Sequence, residues 1–148
     1  MNRSLPPAFF ELGEYPFQEL CCDLFGRQEG ISTCEIYGIR GQAQYGIDLL
    51  AHCKDGLAIE VGQCKCYQAM TAPDIARASD EFLSHLERWK RLHIKRFILF
   101  VACELDKTQH QDQILIEKER FALEGIVYEA WSGRILRQKL SPYRDIAE

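Results

Sequence analysis

The chain has 148 residues, 47% hydrophobic and 27% charged, enough for one domain to bury a core without staples. A net charge of −4 argues against a protein that coats nucleic acid electrostatically, though not against an enzyme with a local basic patch. The longest apolar run, Phe97 to Cys103, is too short to span a bilayer, and MNRSLPPAFF lacks a secretory pattern, so a cytoplasmic protein is expected.

The first element is a helix: Pro16 opens a stripe of Phe17, Leu20, Cys21, Leu24 and Phe25 at helical spacing, and Gly26 stops it. A strand follows at Ser32 to Tyr37, then the loop GIRGQAQYG. Residues 47–53 and 57–67 read as two strands joined by Lys54-Asp55-Gly56. Asp-Gly is a strong hairpin signal, because both central positions of a type I′ turn need positive φ. Thr71 and Asp74, with Pro73 between them, form a capping box. The helix it opens carries Ile75, Ala78, Phe82, Leu86 and Trp89 every three or four residues and has a basic end. Phe97 to Cys103 suits a buried central strand. A helix from 108 to 124 turns Ile114, Leu115, Phe121 and Ala122 inward, Ile126 to Trp131 makes a last strand, and Arg134 to Leu140 a short helix. This order predicts an α/β layered domain with a mixed β-sheet.

A two-residue turn pairs 54 with 57, and continuing outward sets 50 against 61 and 48 against 63. Asp48 and Gln63 become cross-strand partners with Cβ atoms about 5 Å apart. Lys65 falls on the same face, opposite Gly46, which leaves open space beside the ammonium group. The pairs Leu50–Val61 and His52–Ile59 are largely apolar, so the face is expected to be covered, and buried polar groups need partners or a function. The chemistry suits phosphodiester hydrolysis. Asp48, the Gln63 side-chain carbonyl and the backbone carbonyl of Cys64 offer hard oxygen ligands for Mg²⁺. Such an ion polarises a phosphoryl oxygen and lowers the pKa of a water. Lys65 orients or helps deprotonate that water and stabilises charge growing on phosphorus. Glu60 points to the opposite face by strand parity, unless Gly62 bulges, and is left out. Arg88, Lys90, Arg91, Lys95 and Arg96 form either a patch for DNA or a solvated helix end.

Gly46-Ile47-Asp48 followed by GQCKCY at Gly62 to Tyr67 resembles the Mrr-like branch of the PD-(D/E)xK restriction endonuclease superfamily, in its QxK variant. FQELCCDLF resembles that family's first helix, and the similarity runs from about Tyr15 to Trp131. The resemblance implies a restriction-endonuclease-like three-layer fold, with a central mixed β-sheet flanked by helices. It also implies Mg²⁺-dependent cleavage of double-stranded DNA, with Mn²⁺ a plausible substitute and Asp48, Gln63 and Lys65 as catalytic residues. Family members often place a metal-binding glutamate directly after the phenylalanine of that helix. Here the position is Gln18, and Glu19, turned by about 100° around the helix, is the candidate acid. GQAQYGID is also similar to nuclease domains at the N-termini of large bacterial defence proteins, including antiviral STAND NTPases. That likeness implies a single nuclease domain, carried on a longer chain with sensor and ATPase domains and acting as a dimer or higher oligomer. Gln42 and Gln44, in the loop leading to Asp48, are candidate DNA contacts.

Two other readings make different predictions. Gln18 and Gln63 in place of two acids suit a catalytically degenerate nuclease fold that binds nucleic acid or a partner. Seven cysteines without a CxxC pair read best as free thiols in a reducing compartment, while a zinc module on Cys53, Cys64 and Cys66 predicts stoichiometric zinc.

Overall fold

The computed structural model of the chain describes residues 8–38 and 45–147. After a 3₁₀ turn at Phe9–Leu12 come helix α1 (Glu14–Gly26) and strands β1 (Ile31–Ile36), β2 (Leu49–Cys53) and β3 (Ala58–Lys65). Then follow α2 (Ala72–Leu83), α3 (Leu86–Trp89), β4 (His93–Val101), α4 (Thr108–Ala122), β5 (Val127–Trp131), α5 (Gly133–Leu140) and α6 (Arg144–Ala147). The five strands form one sheet in the order β1-β2-β3-β4-β5. The first three pair antiparallel, and β3–β4 and β4–β5 are parallel. The fold is therefore α/β, a mixed sheet flanked by helices. Among the described residues no helix is long and apolar enough to cross a membrane.

Alternation along β4 explains the layers. Ile98 and Phe100 join α1 and α5 on one face through Phe17, Phe25 and Leu136. Phe97, Leu99 and Val101 join α2 and α4 on the other through Phe82 and Phe121. Burial on both faces is why this strand reads as an unbroken apolar run. It is an interior strand beside the edge strand β5, not the central one; β3 holds the centre.

The capping box forms as expected: Thr71 Oγ1 accepts the Asp74 N–H at 3.2 Å, and Asp74 accepts the Thr71 N–H at 2.8 Å. The helix it opens does not run through to Trp89. It closes after Leu83 and restarts as the four-residue α3, and Trp89 packs its ring 5.5 Å from that of Tyr37. In α4 the inward stripe is His110, Ile114, Glu117 and Phe121, while Leu115 (58% exposed) and Ala122 face outward. The polar members of the stripe are satisfied. His110 accepts the Lys107 N–H and lies 2.7 Å from the Met70 carbonyl oxygen, and Glu117 takes Arg120 and Gln113. Counting apolar spacing alone misplaces such a face.

The hairpin register is the predicted one, with Leu50 opposite Val61 and His52 opposite Ile59. The turn is wider than two residues. Gly56 alone has positive φ (74°), and its N–H donates to the Cys53 carbonyl. The Asp55 carboxylate instead accepts the Leu57 and Ala58 N–H groups, at 2.8 and 3.1 Å. Because that side chain caps the loop, pairing stops two residues earlier on each strand and the register survives.

Candidate active site

The site forms where β2 and β3 run beyond their ladder. The Asp48 N–H donates to the Gly62 carbonyl at 2.7 Å, and the Cys64 N–H donates to Asp48 Oδ2 at 2.7 Å. That carboxylate thus replaces a strand partner: the ladder ends at Leu49–Gly62, and in place of the expected Asp48–Gln63 pair Asp48 bonds back to Gly62, the partner of Leu49. Burial raises the Asp48 pKa against the opposing Cys64 N–H and Lys65 ammonium, and the charges of Glu14 and Glu81 add to the rise. On the same face Gln63 is 2% exposed. Its Nε2 donates to Glu81 Oε2 at 2.9 Å, and its Oε1 is buried with no hydrogen-bond partner among the described residues. Because a carboxylate can only accept, Glu81 settles which end of the amide is the carbonyl. Lys65 Nζ lies 3.1 Å from the same Glu81 carboxylate. Burial pulls the Lys65 pKa down, but the charge and hydrogen bond of Glu81, with Tyr67 and Asp48, outweigh it and the net shift is upward. Lys65 is therefore an ammonium at neutral pH, suited to stabilising negative charge and orienting water, not to removing a proton.

Glu81 reaches the hairpin because of Gly46. A Cβ on that residue would stand 2.5 Å from the Glu81 carbonyl and from Phe82 Cα, and its φ is +83°. The expected open space opposite Lys65 is in fact filled by the α2 backbone. Gly62 has a similar role, since a Cβ there would meet the Phe100 ring at 2.6 Å. A cavity of about 260 Å³ results, lined by Glu14, Tyr45, Asp48, Gln63, Lys65 and Glu81, with Gly46, Ile47 and Cys64.

Asp48, Gln63, Cys64 and Lys65 are thus brought together. Glu19 is not: it is exposed and does not line the cavity. The α1 carboxylate that does is Glu14, four residues before Gln18 and so on the same helical face. Gln42 and Gln44 lie outside the described residues. Glu60 faces away and forms an ion pair at 2.6 Å with Arg96, which also holds Glu129 at 2.9 Å. The basic cluster therefore splits. Arg96 is committed to these acids, Lys90 pairs with Glu87, and Lys95 lies near Asp55 at the far end of the hairpin.

Glu14, Glu81 and Tyr45 were not expected at the site. Helical spacing carried a signal for two of them. Glu81 flanks the buried Ile75–Ala78–Phe82 stripe, and Glu14 lies one turn before Gln18. The zinc arrangement is corrected. Cys53 sits beside Glu60, Cys66 lies against the Phe9 and Phe10 carbonyls, and the described residues contain no group of three His, Cys, Asp or Glu able to hold a metal.

A hard-cation set of a different kind remains, with one carboxylate and two carbonyls. Lys65 O accepts from Ala102 N–H on the β4 side. Strand alternation therefore turns the Cys64 carbonyl, like its N–H, toward Asp48. With the unpartnered Gln63 Oε1, these residues fit Mg²⁺ or Mn²⁺, whose remaining positions water would fill. A groove of about 1010 Å³ along the free edge of β5 is lined by charges of both signs.

This is an α/β domain with a polar, carboxylate-rich cavity at the open end of a hairpin. No protein family, no curated protein and no solved structure matches the chain.

Proposed function

We propose that the chain is a metal-dependent DNA endonuclease of the Mrr-like, PD-(D/E)xK type, with Asp48, Gln63 and Lys65 at its centre. The observation that carries this reading is the buried carbonyl of Gln63, unpartnered among the described residues, on an amide that Glu81 orients and that lines one cavity with Asp48 and Lys65. The order of elements also supports a restriction-endonuclease-like fold: a helix, an antiparallel three-strand meander, then parallel strands reached through helices.

In this reading Asp48, Gln63 Oε1 and the Cys64 carbonyl would hold Mg²⁺ or Mn²⁺, which would supply Lewis acidity to a phosphoryl oxygen and lower the pKa of a water. Lys65 lies against the scissile phosphate and offsets the charge that grows there. Since Lys65 stays protonated, the proton of the attacking water goes to a cavity carboxylate, with the exposed Glu14 best placed to pass it to solvent. Glu81 is a positioning residue, orienting both the Gln63 amide and the Lys65 ammonium. Double-stranded DNA is the substrate, in a cytoplasmic antiviral defence setting, with sensor and ATPase domains on a longer chain and two copies meeting to cut both strands.

The test is supercoiled plasmid with Mg²⁺, on this chain and on any longer polypeptide that carries it. Nicked and linear products are expected, with Asp48→Asn and Lys65→Met each slower by roughly a hundredfold or more. Tight DNA binding with no metal-dependent cut would return the binding-only reading.

A further inference from the structure

Tyr45 lines the cavity and has φ 54°, the only non-glycine at positive φ among the described residues. A left-handed conformation costs an L-residue roughly 1–2 kcal/mol, so its surroundings must hold it there. They do so with rings and a cation. The Arg88 guanidinium carbon stands 3.9 Å from the Tyr45 ring centroid, the His85 ring is edge-on at 5.3 Å, and Trp89 lies at 6.5 Å. Arg88 and His85 are both exposed. Glu81 on α2, His85 in the turn after it and Arg88 on α3 lead from the cavity wall to the Tyr45 ring.

Among the basic residues of this stretch, Arg88 alone combines an uncommitted charge with contact to a cavity residue. Lys90 and Arg96 have ion-pair partners, while Arg88 has none among the described residues. Arg91 is exposed and makes no ion pair or ring contact there. Stacking on Tyr45 occupies the face of the guanidinium and leaves its in-plane N–H donors free, the geometry that suits a phosphate. The cavity needs such a group. Among the described residues its acids, Asp48, Glu14 and Glu81, outnumber Lys65, so a cation beside the cavity helps to draw a polyanion in.

We propose that Arg88, braced by Tyr45 and assisted by His85, binds the DNA phosphate adjacent to the one that lies against Lys65. This rests on the endonuclease reading.

The experiment is anisotropy of a labelled duplex across a salt series, with Ca²⁺ in place of Mg²⁺ to separate binding from hydrolysis. Wild type, Arg88→Gln, Arg88→Lys and Arg134→Gln are compared, each checked for folding by its melting curve. For Arg88→Gln, affinity should fall roughly fivefold to tenfold, and the slope of log K against log salt should shrink by about 0.9, one phosphate's share. Arg88→Lys should keep the slope, and Arg134→Gln, on the β5 side of the sheet, should leave both unchanged. A folded Arg88→Gln with the wild-type slope overturns the inference. A slope change without any Mg²⁺-dependent cutting by wild type supports this phosphate contact while overturning the nuclease reading, and absence of DNA binding by wild type overturns both.

Discussion

Gly46→Ala places a methyl carbon 2.5 Å from the Glu81 carbonyl group and from Phe82 Cα, where ordinary contact begins near 3.4 Å. Either the hairpin or the end of α2 must shift by about 1 Å, and close-packed interiors resist that. Ile75, Ala78 and Phe82 already bury the helix face fully. Overpacking of this kind costs roughly 1–3 kcal/mol, and the left-handed φ of +83° adds roughly 1–2 kcal/mol. The sum, about 2–5 kcal/mol, corresponds to a melting point lower by roughly 5–15 °C for a domain of this size. Gly30→Ala and Gly125→Ala are the controls, since both have positive φ and nothing within 4 Å of the added Cβ. They carry the strain without the collision, partly offset by the stiffer unfolded chain. Urea or thermal melts of the three variants separate the terms. If Gly46→Ala melts with its controls, the helix does not rest on that glycine and the placement of Glu81 is wrong.

Three further outcomes follow from the charges. The Asp48 pKa is raised chiefly by burial, so the native state keeps this proton to higher pH than the unfolded chain. Its contribution to stability is full below the unfolded value and is lost as pH rises through the folded one. Asp48→Asn should therefore flatten that limb of the stability–pH curve and melt no lower than wild type at pH 7. Mg²⁺ should stabilise wild type, by about 2.7 kcal/mol at a hundred times its Kd, and leave Asp48→Asn unmoved; equal metal shifts in both would remove Asp48 from the ligand set. Arg96→Met strands the Glu60 carboxylate, whose side chain is 7% exposed, and should cost roughly 3–5 kcal/mol in urea melts. Adding Glu60→Leu should recover most of that loss, whereas a single-variant cost under about 1 kcal/mol would mean the pair is effectively solvated.

Elements with a strong local rule were legible in advance. The Thr71–Asp74 cap, the two-faced apolar run of β4 and the hairpin register each depend on residues close in sequence. The errors arose where a distant group decided the outcome. Leu115 and Ala122 are exposed because His110 and Glu117 claim the inner face through hydrogen bonds that apolar spacing does not record. The helix expected to run to Trp89 closes after Leu83, and the Trp89 ring packs against Tyr37, fifty-two residues earlier. Asp55 avoids positive φ because its carboxylate finds two N–H donors of its own.

The candidate site divides along the same line. Asp48, Gln63 and Lys65 line one cavity just beyond the last strand pair, so two strands and one turn sufficed to bring them near one another, although Asp48 and Gln63 are not the direct partners the turn predicted. Their chemical states depend on Glu81, sixteen residues beyond Lys65 on a helix whose approach is permitted by the missing side chain of Gly46. Without Glu81 the Gln63 amide has no fixed sense and Lys65 has less reason to stay protonated. With it, Lys65 is the only cation among the described residues that line a cavity also holding Asp48, Glu14 and Glu81. Such an excess of negative charge, with Asp48 already resisting ionisation, favours a group that brings positive charge in. A divalent ion bound beside Asp48 would relieve the cavity from within, and Arg88 at the rim would offset it from outside. The neutral Gln63 then has a physical rationale: a fourth carboxylate, against Lys65 and Glu81, would raise the cost of keeping the cavity open before any cation arrives.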